Sequence, residues 1–239
     1  MLRSSDDLNI KIFADGADLS GISDLAGDPL IAGFTTNPTL MRQSGIADYE
    51  HFAHSILGIV RDRPVSFEVF SDDEHEMERQ ARLIASWASN VYVKIPVTNT
   101  TGVRSDKLIR RLTEGGVKLN VTALMTLKQV AWVTEALTGT TSAIVSVFAG
   151  RIADTGRDPI PLMSAALHIV ELVPGVELLW ASPREILNIV QADSIGCHII
   201  TVTHDLLKKL PSVGRDLESF SLDTVRMFHE DARHAGYGL

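Results

Sequence analysis

Val91-Tyr92-Val93-Lys94-Ile95-Pro96-Val97 is a run of β-branched, aromatic and aliphatic residues interrupted by a single amine. Such a stretch reads as a buried strand. An ammonium taken out of water is costly, so a lysine here either loses its proton or finds a carboxylate. A neutral amine in a half-dry cavity attacks carbonyl carbons, the chemistry of Schiff-base enzymes. The competing reading is a strand-end lysine whose amine snorkels to water.

Working outward from 91–95, runs of similar character stand at 10–14, 30–34, 65–70, 118–122, 143–147, 177–180 and 198–202. Helical patterns separate them at 19–26, 48–62, 73–88, 103–115, 126–137, 158–172, 183–193 and 203–210. Asp48, Ser105, Thr126, Ser182 and Thr203 precede or open helical patterns, where a short polar side chain can cap the first free N–H groups. Eight strands, each followed by a helix, predict an α/β fold: a single-domain (β/α)8 TIM barrel over 1–239, with 215–236 as an extra amphipathic C-terminal helix. A doubly wound open sheet has the same alternation. Its dinucleotide glycine fingerprint is missing from Ala14-Asp15-Gly16-Ala17-Asp18, the first strand-to-helix turn.

The 239 residues are 45% hydrophobic and 22% charged, with a net charge of -8, which argues against binding nucleic acid through a basic face. One cysteine, Cys197, excludes an internal disulfide and suits a reducing cytoplasm. The opening Met1-Leu2-Arg3-Ser4-Ser5-Asp6-Asp7 has no apolar signal-peptide core, and no run approaches the length of a membrane span. These features predict a cytoplasmic protein without membrane contact. His51 and His54 are the only close histidine pair and read as a helix surface, so no metal site is expected.

Barrels place their chemistry at the carboxyl ends of the strands. Those ends carry Asp15, then Thr35, Thr36 and Asn37, then Glu68, Lys94, Asn120 with Thr122, Ser146, Ser182, and Thr201 with Thr203. One amine, two carboxylates and a ring of hydroxyl and amide groups suit carbonyl chemistry on a sugar. Each member also has a plainer reading. Asp18 reads as a helix cap, Asp15 as either a cap or an acid/base, and Asn37 before Pro38 as turn chemistry. Ser-Phe-Glu-Val-Phe alternation leaves the direction of Glu68 open. Arg151 and Arg184, after strands six and seven, are either a phosphate pocket or surface arginines. The opposite strand ends, at Asp28-Pro29 and Asp62-Arg63-Pro64, read as turns.

Together Phe13-Ala14-Asp15, Gly33-Phe34-Thr35-Thr36-Asn37-Pro38, Val93-Lys94-Ile95-Pro96, Leu119-Asn120-Val121-Thr122, Phe148-Ala149-Gly150-Arg151-Ile152 and Ala181-Ser182-Pro183-Arg184 resemble the transaldolase family, particularly its shorter members, which include fructose-6-phosphate aldolases. The resemblance runs from about 10 to 210. It implies a class I aldol mechanism with no cofactor or metal, in which a dihydroxyacetone unit passes from a ketose phosphate to an aldose phosphate. The family's ordinary setting is the pentose phosphate pathway. By the same resemblance Lys94 is the Schiff-base lysine, Asp15 the acid/base at the C4 hydroxyl, and Glu68 with Thr122 the pair that handles carbinolamine protons through a water. Thr35 and Phe148 stand with the substrate-binding group, while Asn37, Asn120 and Ser146 match positions that bind the dihydroxyacetone unit, and Arg151, Ser182 and Arg184 match a phosphate site. Glu68 and Phe148 are of the transaldolase kind, where the aldolase branch carries Gln and Tyr. Gly16 stands where the family usually has Thr or Ser, and Pro183 where an aromatic residue is common. Phosphorylated sugars are the expected partners, and a homo-oligomer using the terminal helix is implied. The alternatives are an aldolase that releases free dihydroxyacetone and a phosphosugar-binding barrel without chemistry.

Overall fold

The computed structural model describes residues 4–137 and 141–237. Part of the opening segment, Met1 to Arg3, and the last two residues of the 1–239 span therefore lie outside the described residues. Eight parallel strands close into a barrel in chain order: β1 (Lys11–Asp15), β2 (Ile31–Thr35), β3 (Val65–Glu68), β4 (Val91–Pro96), β5 (Leu119–Leu124), β6 (Ala143–Val147), β7 (Val176–Trp180) and β8 (Ile199–Thr203), which pairs back onto β1. The expected barrel is the one that forms. The open sheet is excluded by this closure.

The helices are α1 (Leu19–Ala26), α2 (Pro38–Gln43), α3 (Tyr49–Ile59), α4 (Glu74–Ala85), α5 (Asp106–Glu114), α6 (Leu127–Ala136), α7 (Ala149–Ala153), α8 (Ile160–Val170), α9 (Leu187–Ser194), α10 (His204–Leu207) and α11 (Leu217–His234). Asp18, Asp48 and Thr126 accept N–H groups as helix caps, and Thr126 forms a reciprocal capping box with Gln129. Ser105 stands at the start of α5 without a side-chain cap: it is buried, with ψ near 7° rather than extended. Ser182 caps nothing, because α9 begins at Leu187 and Asn188 Oδ1 instead accepts the N–H groups of Arg184 (2.7 Å) and Glu185 (3.2 Å). The last helical pattern is cut short to α10, followed by a 3-10 turn at Leu210–Ser212 that contains Pro211. No described helix is long and apolar enough to cross a membrane.

Side chains alternate between the two faces of the barrel wall. Ile12, Ala14, Phe34, Val65, Phe67, Val93, Ile95, Val121, Val145, Leu178, Trp180 and Val202 join the large core between strands and helices. The opposite set fills the lumen, where Phe13, Ile144, Leu179, Ala181 and Ile199 form a separate apolar plug. Gly33 makes room for it: a Cβ there would stand 2.6 Å from the Phe13 ring. At the amino ends of the strands, Arg63 fastens the turn before β2 by donating to the carbonyls of Asp28 (3.3 Å) and Ile31 (2.9 Å).

Candidate active site

A cavity of about 490 Å³ lies above the apolar plug, and each site residue proposed from the sequence lines it, from Asp15 on β1 to Arg184 after β7. Pleating explains the convergence. Glu68 and Lys94 are register partners on adjacent parallel strands, so their side chains leave the sheet on one face. Phe67 is committed to the outer core, which settles Glu68 as inward.

Lys94 is 7% exposed. Its Nζ donates to the Thr36 carbonyl at 2.8 Å and stands 3.3 Å from Glu68 Oε2. The amine therefore points into the lumen rather than snorkelling. Glu68 is held by its backbone as well. The β2–β3 ladder has only two register pairs, Phe34 with Val65 and Thr35 with Ser66. Beyond it, the Tyr49 hydroxyl accepts from the Glu68 N–H at 2.8 Å and donates to the Glu68 carbonyl at 3.0 Å. Tyr49 is wedged against Phe67, Phe70 and Trp87, and burial pushes its phenol well above the usual range.

Asp15 accepts from Thr35 Oγ1 at 2.8 Å and from Asn37 Nδ2 at 3.3 Å, while Thr35 also meets the Thr201 hydroxyl. Burial raises the Asp15 pKa above 3.8, opposed first by the charge of Lys94 and then by the two hydrogen bonds. Asn37 serves two ends: its Oδ1 caps α2 by accepting from Leu40 N at 3.0 Å, which turns its amide nitrogen towards Asp15. Turn chemistry and site chemistry are the same residue here.

Asn120 donates to Ser66 Oγ at 3.1 Å and accepts from Ser146 Oγ at 2.6 Å, a polar bridge across the lumen beside Lys94. Thr122 precedes Ala123, whose φ is 66°, at the place where the β5–β6 register slips. Such a slip re-aims the side chain before it, here towards the cavity.

On the far side, the turns after β6 and β7 interlock. Ser182 adopts φ 59°, and Gly150 N donates to Ala181 O at 3.3 Å. A Cβ at Gly150 would lie 1.5 Å from the Ser182 carbonyl oxygen, so only glycine fits. Gly150→Ala is expected to force the two turns apart at a cost of about 2 kcal/mol or more. The melting temperature then falls by roughly 5 °C or more, read by differential scanning fluorimetry; an unchanged melt refutes the interlock. Arg151 lies over the Phe148 ring, its guanidinium carbon 5.5 Å from the centroid. Arg184 is committed to Asp154, which its Nε reaches at 3.0 Å and its Nη2 reaches still closer, and this pairing holds the Asp154 carboxyl below its usual range. An anion in this corner meets Arg151 directly and Arg184 in competition with Asp154.

Sequence reasoning passed over Tyr49, Ser66, Asp154 and His204. None of the four lines the cavity: Tyr49, Ser66 and Asp154 act on residues that do, across 19 to 54 positions of sequence, and His204 lies against Gly16 from the outer layer. Asp154 alone had a local signal, three residues after Arg151 on α7.

A buried amine beside Glu68, in a cavity that Asp15 also lines at the carboxyl end of a closed eight-stranded barrel, defines a (β/α)8 barrel protein with a charged, polar site at its strand tips. Among solved structures, the chain superposes on a putative lyase/mutase from Burkholderia cenocepacia (TM-score 0.59, 14% identity, 95% of this chain and 85% of that one). It also superposes on dihydrodipicolinate synthase from Rhodopseudomonas palustris (TM-score 0.55, 14% identity, 96% and 81%). At such identity these likenesses show the fold alone. Sequence carries the relationship further. Residues 12–237 match the family model described as Transaldolase/Fructose-6-phosphate aldolase. A probable transaldolase of Dehalococcoides mccartyi is 35% identical over 84% of this chain and 90% of its own length, and a probable transaldolase 2 of Listeria monocytogenes is 34% identical over 90% and 95%. The chain belongs to the transaldolase/fructose-6-phosphate aldolase family.

Proposed function

We propose that the chain is a transaldolase that moves a dihydroxyacetone unit between sugar phosphates through an imine on Lys94. The observation that carries this reading is the Lys94 amine, buried 3.3 Å from Glu68 in the cavity that Asp15 also lines. The names of the relatives agree with it.

In this mechanism Lys94 Nζ, after giving a proton to a neighbouring base, attacks C2 of the ketose phosphate. Glu68, with Thr122 and a water, returns a proton to the carbinolamine hydroxyl, which leaves as water to give the iminium. Asp15, ionised at this stage, takes the C4 hydroxyl proton. The C3–C4 bond then breaks, its electron pair flows into the iminium to form an enamine, and the aldose phosphate departs. Attack of the enamine on an acceptor aldehyde reverses these steps, and Asp15 returns its proton to the new hydroxyl. An acid/base that must act in both directions works best with its pKa near the operating pH, and the raised pKa of Asp15 is in that direction. Asn37, Asn120 and Ser146 would hold the hydroxyls of the three-carbon unit, and Arg151 with Ser182 and Arg184 the phosphate. The expected donor is fructose 6-phosphate and the expected acceptor erythrose 4-phosphate, giving sedoheptulose 7-phosphate and glyceraldehyde 3-phosphate.

Borohydride reduction in the presence of fructose 6-phosphate tests the reading: a stable mass adduct on Lys94 is expected, and a protein that gains no mass is a sugar-binding barrel without this chemistry. Phe148 bears on what becomes of the enamine. Its ring lines the cavity and offers no hydrogen-bond donor, so the enamine waits for an aldehyde rather than for a positioned water. Phe148→Tyr adds such a donor. One hydrogen bond of about 1 kcal/mol predicts a rise of roughly fivefold in dihydroxyacetone release relative to transfer. Equal partitioning in the two proteins overturns that role, and a wild type that releases as fast as it transfers is an aldolase.

Self-association is part of the proposal. None of the residues of α11 is buried, and it exposes Leu217, Phe220, Leu222, Val225, Met227 and Phe228, an apolar surface that supports contact with another copy.

A further inference from the structure

Gly16 and Gly21 have ordinary negative φ values, so no left-handed turn demands glycine at either position. Space demands it. A Cβ at Gly16 would lie 2.9 Å from His204 Nε2, and one at Gly21 would lie 2.5 Å from His204 Nδ1. The imidazole at the start of α10 therefore sits in a slot made by the absence of two side chains. Gly16 directly follows Asp15, and Thr203, directly before His204, is the register partner of Asp15. His204 lines a second cavity of about 240 Å³ on the helix side of the barrel wall, with Gly21, Leu25 and Leu207. Asp15 lines the first. The imidazole thus stands between the outer cavity and the tip of β1.

We propose that His204 is a positioning residue for Asp15: its ring takes the volume that a side chain at position 16 would fill, closes the outer side of the β1 tip to water, and keeps the carboxyl shielded from that side and aimed into the lumen. The importance of that carboxyl rests on the function proposed above.

Nε2 is buried without a hydrogen-bond partner, and an imidazolium needs an acceptor at each nitrogen. The charges around it are mixed. Asp15 and Asp18 face it from the β1–α1 segment, Asp205 and Lys208 from its own helix, and Asp24 and Asp28 line the same outer cavity. Burial outweighs the nearby carboxylates and lowers the His204 pKa below 6.5, so the ring is neutral at physiological pH. Asp15 in turn faces Lys94 across the lumen, and burial is the largest influence on it. Removing the ring has two opposed effects on Asp15: water admitted behind β1 lowers its pKa, and losing the positive charge that the imidazole carries only when protonated, at acid pH, raises it. The charge of His204 is the weakest of the influences on Asp15, whereas burial is the strongest, so the first effect is expected to win.

The test is carbon-13 NMR titration of the Asp15 carboxyl, which needs no substrate, in the wild type, His204→Ala and His204→Phe. His204→Ala is expected to lower the midpoint by about half a pH unit or more, and the ring-retaining His204→Phe to keep it near the wild-type value. An unchanged or raised midpoint in His204→Ala, or one lowered equally in both variants, overturns the proposal. Kinetics supply a second arm. The acid limb of kcat/KM should move down with the NMR midpoint in His204→Ala while KM stays put. Gly16→Ala should impair the wild type about tenfold through collision with the ring, yet cost His204→Ala little, a non-additivity expected of touching groups; additive losses count against the contact. Borohydride labelling of Lys94 separates the two readings. Its failure in the wild type sinks the aldol mechanism and leaves the NMR result standing on its own.

Discussion

Lys94→Met is expected to abolish borohydride labelling and to reduce kcat/KM by at least about 10⁴-fold, because Lys94 is the only lysine among the described residues lining the cavity and the covalent route is lost with it. Methionine is close to lysine in length and removes the charge, so the lumen stays filled. What remains is Glu68 without its cation and the Thr36 carbonyl without its donor. Glu68 is still partly exposed, its side chain 19% accessible, so water can solvate it, and the fold should survive with a modest change in melting temperature. Lys94→Arg, which keeps a cation beside Glu68 but forms no imine, should match the wild type in stability and the methionine variant in activity. Residual labelling in either variant would place the imine on another lysine and end the assignment.

Asp15→Asn separates imine formation from carbon–carbon cleavage. Lys94, Glu68 and Thr122 are untouched, so the ketose still condenses, but nothing accepts the C4 hydroxyl proton. A fall in kcat of about 10²–10⁴-fold is expected. The adduct trapped by borohydride should then carry the whole ketose phosphate rather than the three-carbon fragment, a difference read directly by mass spectrometry. A three-carbon adduct formed at the wild-type rate would remove Asp15 from the mechanism.

The same substitution has a signed effect on stability. In the folded protein the Asp15 pKa is raised above 3.8 by burial. A carboxyl of this kind binds its proton more tightly when folded than when unfolded. Its contribution to stability is therefore fully present below pH 3.8 and is lost as pH rises through the folded value. At neutral pH the ionised, partly desolvated Asp15 weakens the fold. Asp15→Asn, which can keep the bonds to Thr35 and Asn37, should melt higher than the wild type at pH 7 and lose that advantage as pH falls towards 3.8. A variant that melts lower at pH 7 contradicts the burial of charge at this position.

Much of this arrangement is legible in the order of residues alone. Alternating short apolar runs and amphipathic segments place each of the eight strands to within two residues at both ends, because strand and helix periods are local properties. The run at 65–70 overshoots by two residues because the Tyr49 hydroxyl takes both backbone groups of Glu68 and, beyond Val69, Gln80 Oε1 accepts the N–H groups of Phe70 (2.8 Å) and Ser71 (3.1 Å), partners that lie outside the strand. Short α2 was foreshadowed by Asn37-Pro38, a cap followed by proline in the first turn, yet the same residues read equally as a turn. The start of α9 was misplaced by four residues because Asn188 satisfies the backbone of 184 and 185 from within the helix, a bond no forward-reading cap rule anticipates.

By itself, the chain's order of residues determined the eight alternating strand and helix units and the set of polar groups at the carboxyl ends of the strands, since these follow from periodicity and chain direction, whereas the closure of β8 onto β1 was settled by the tertiary structure. Only the folded molecule decided which way Glu68 points, that Arg184 is already paired with Asp154, and that the glycines at 16 and 21 are spaces for His204. The physical reason is range. Strand and helix preferences act over a few neighbouring residues, whereas burial, charge pairing and excluded volume join groups such as Gly16 and His204 that meet only when β8 closes against β1.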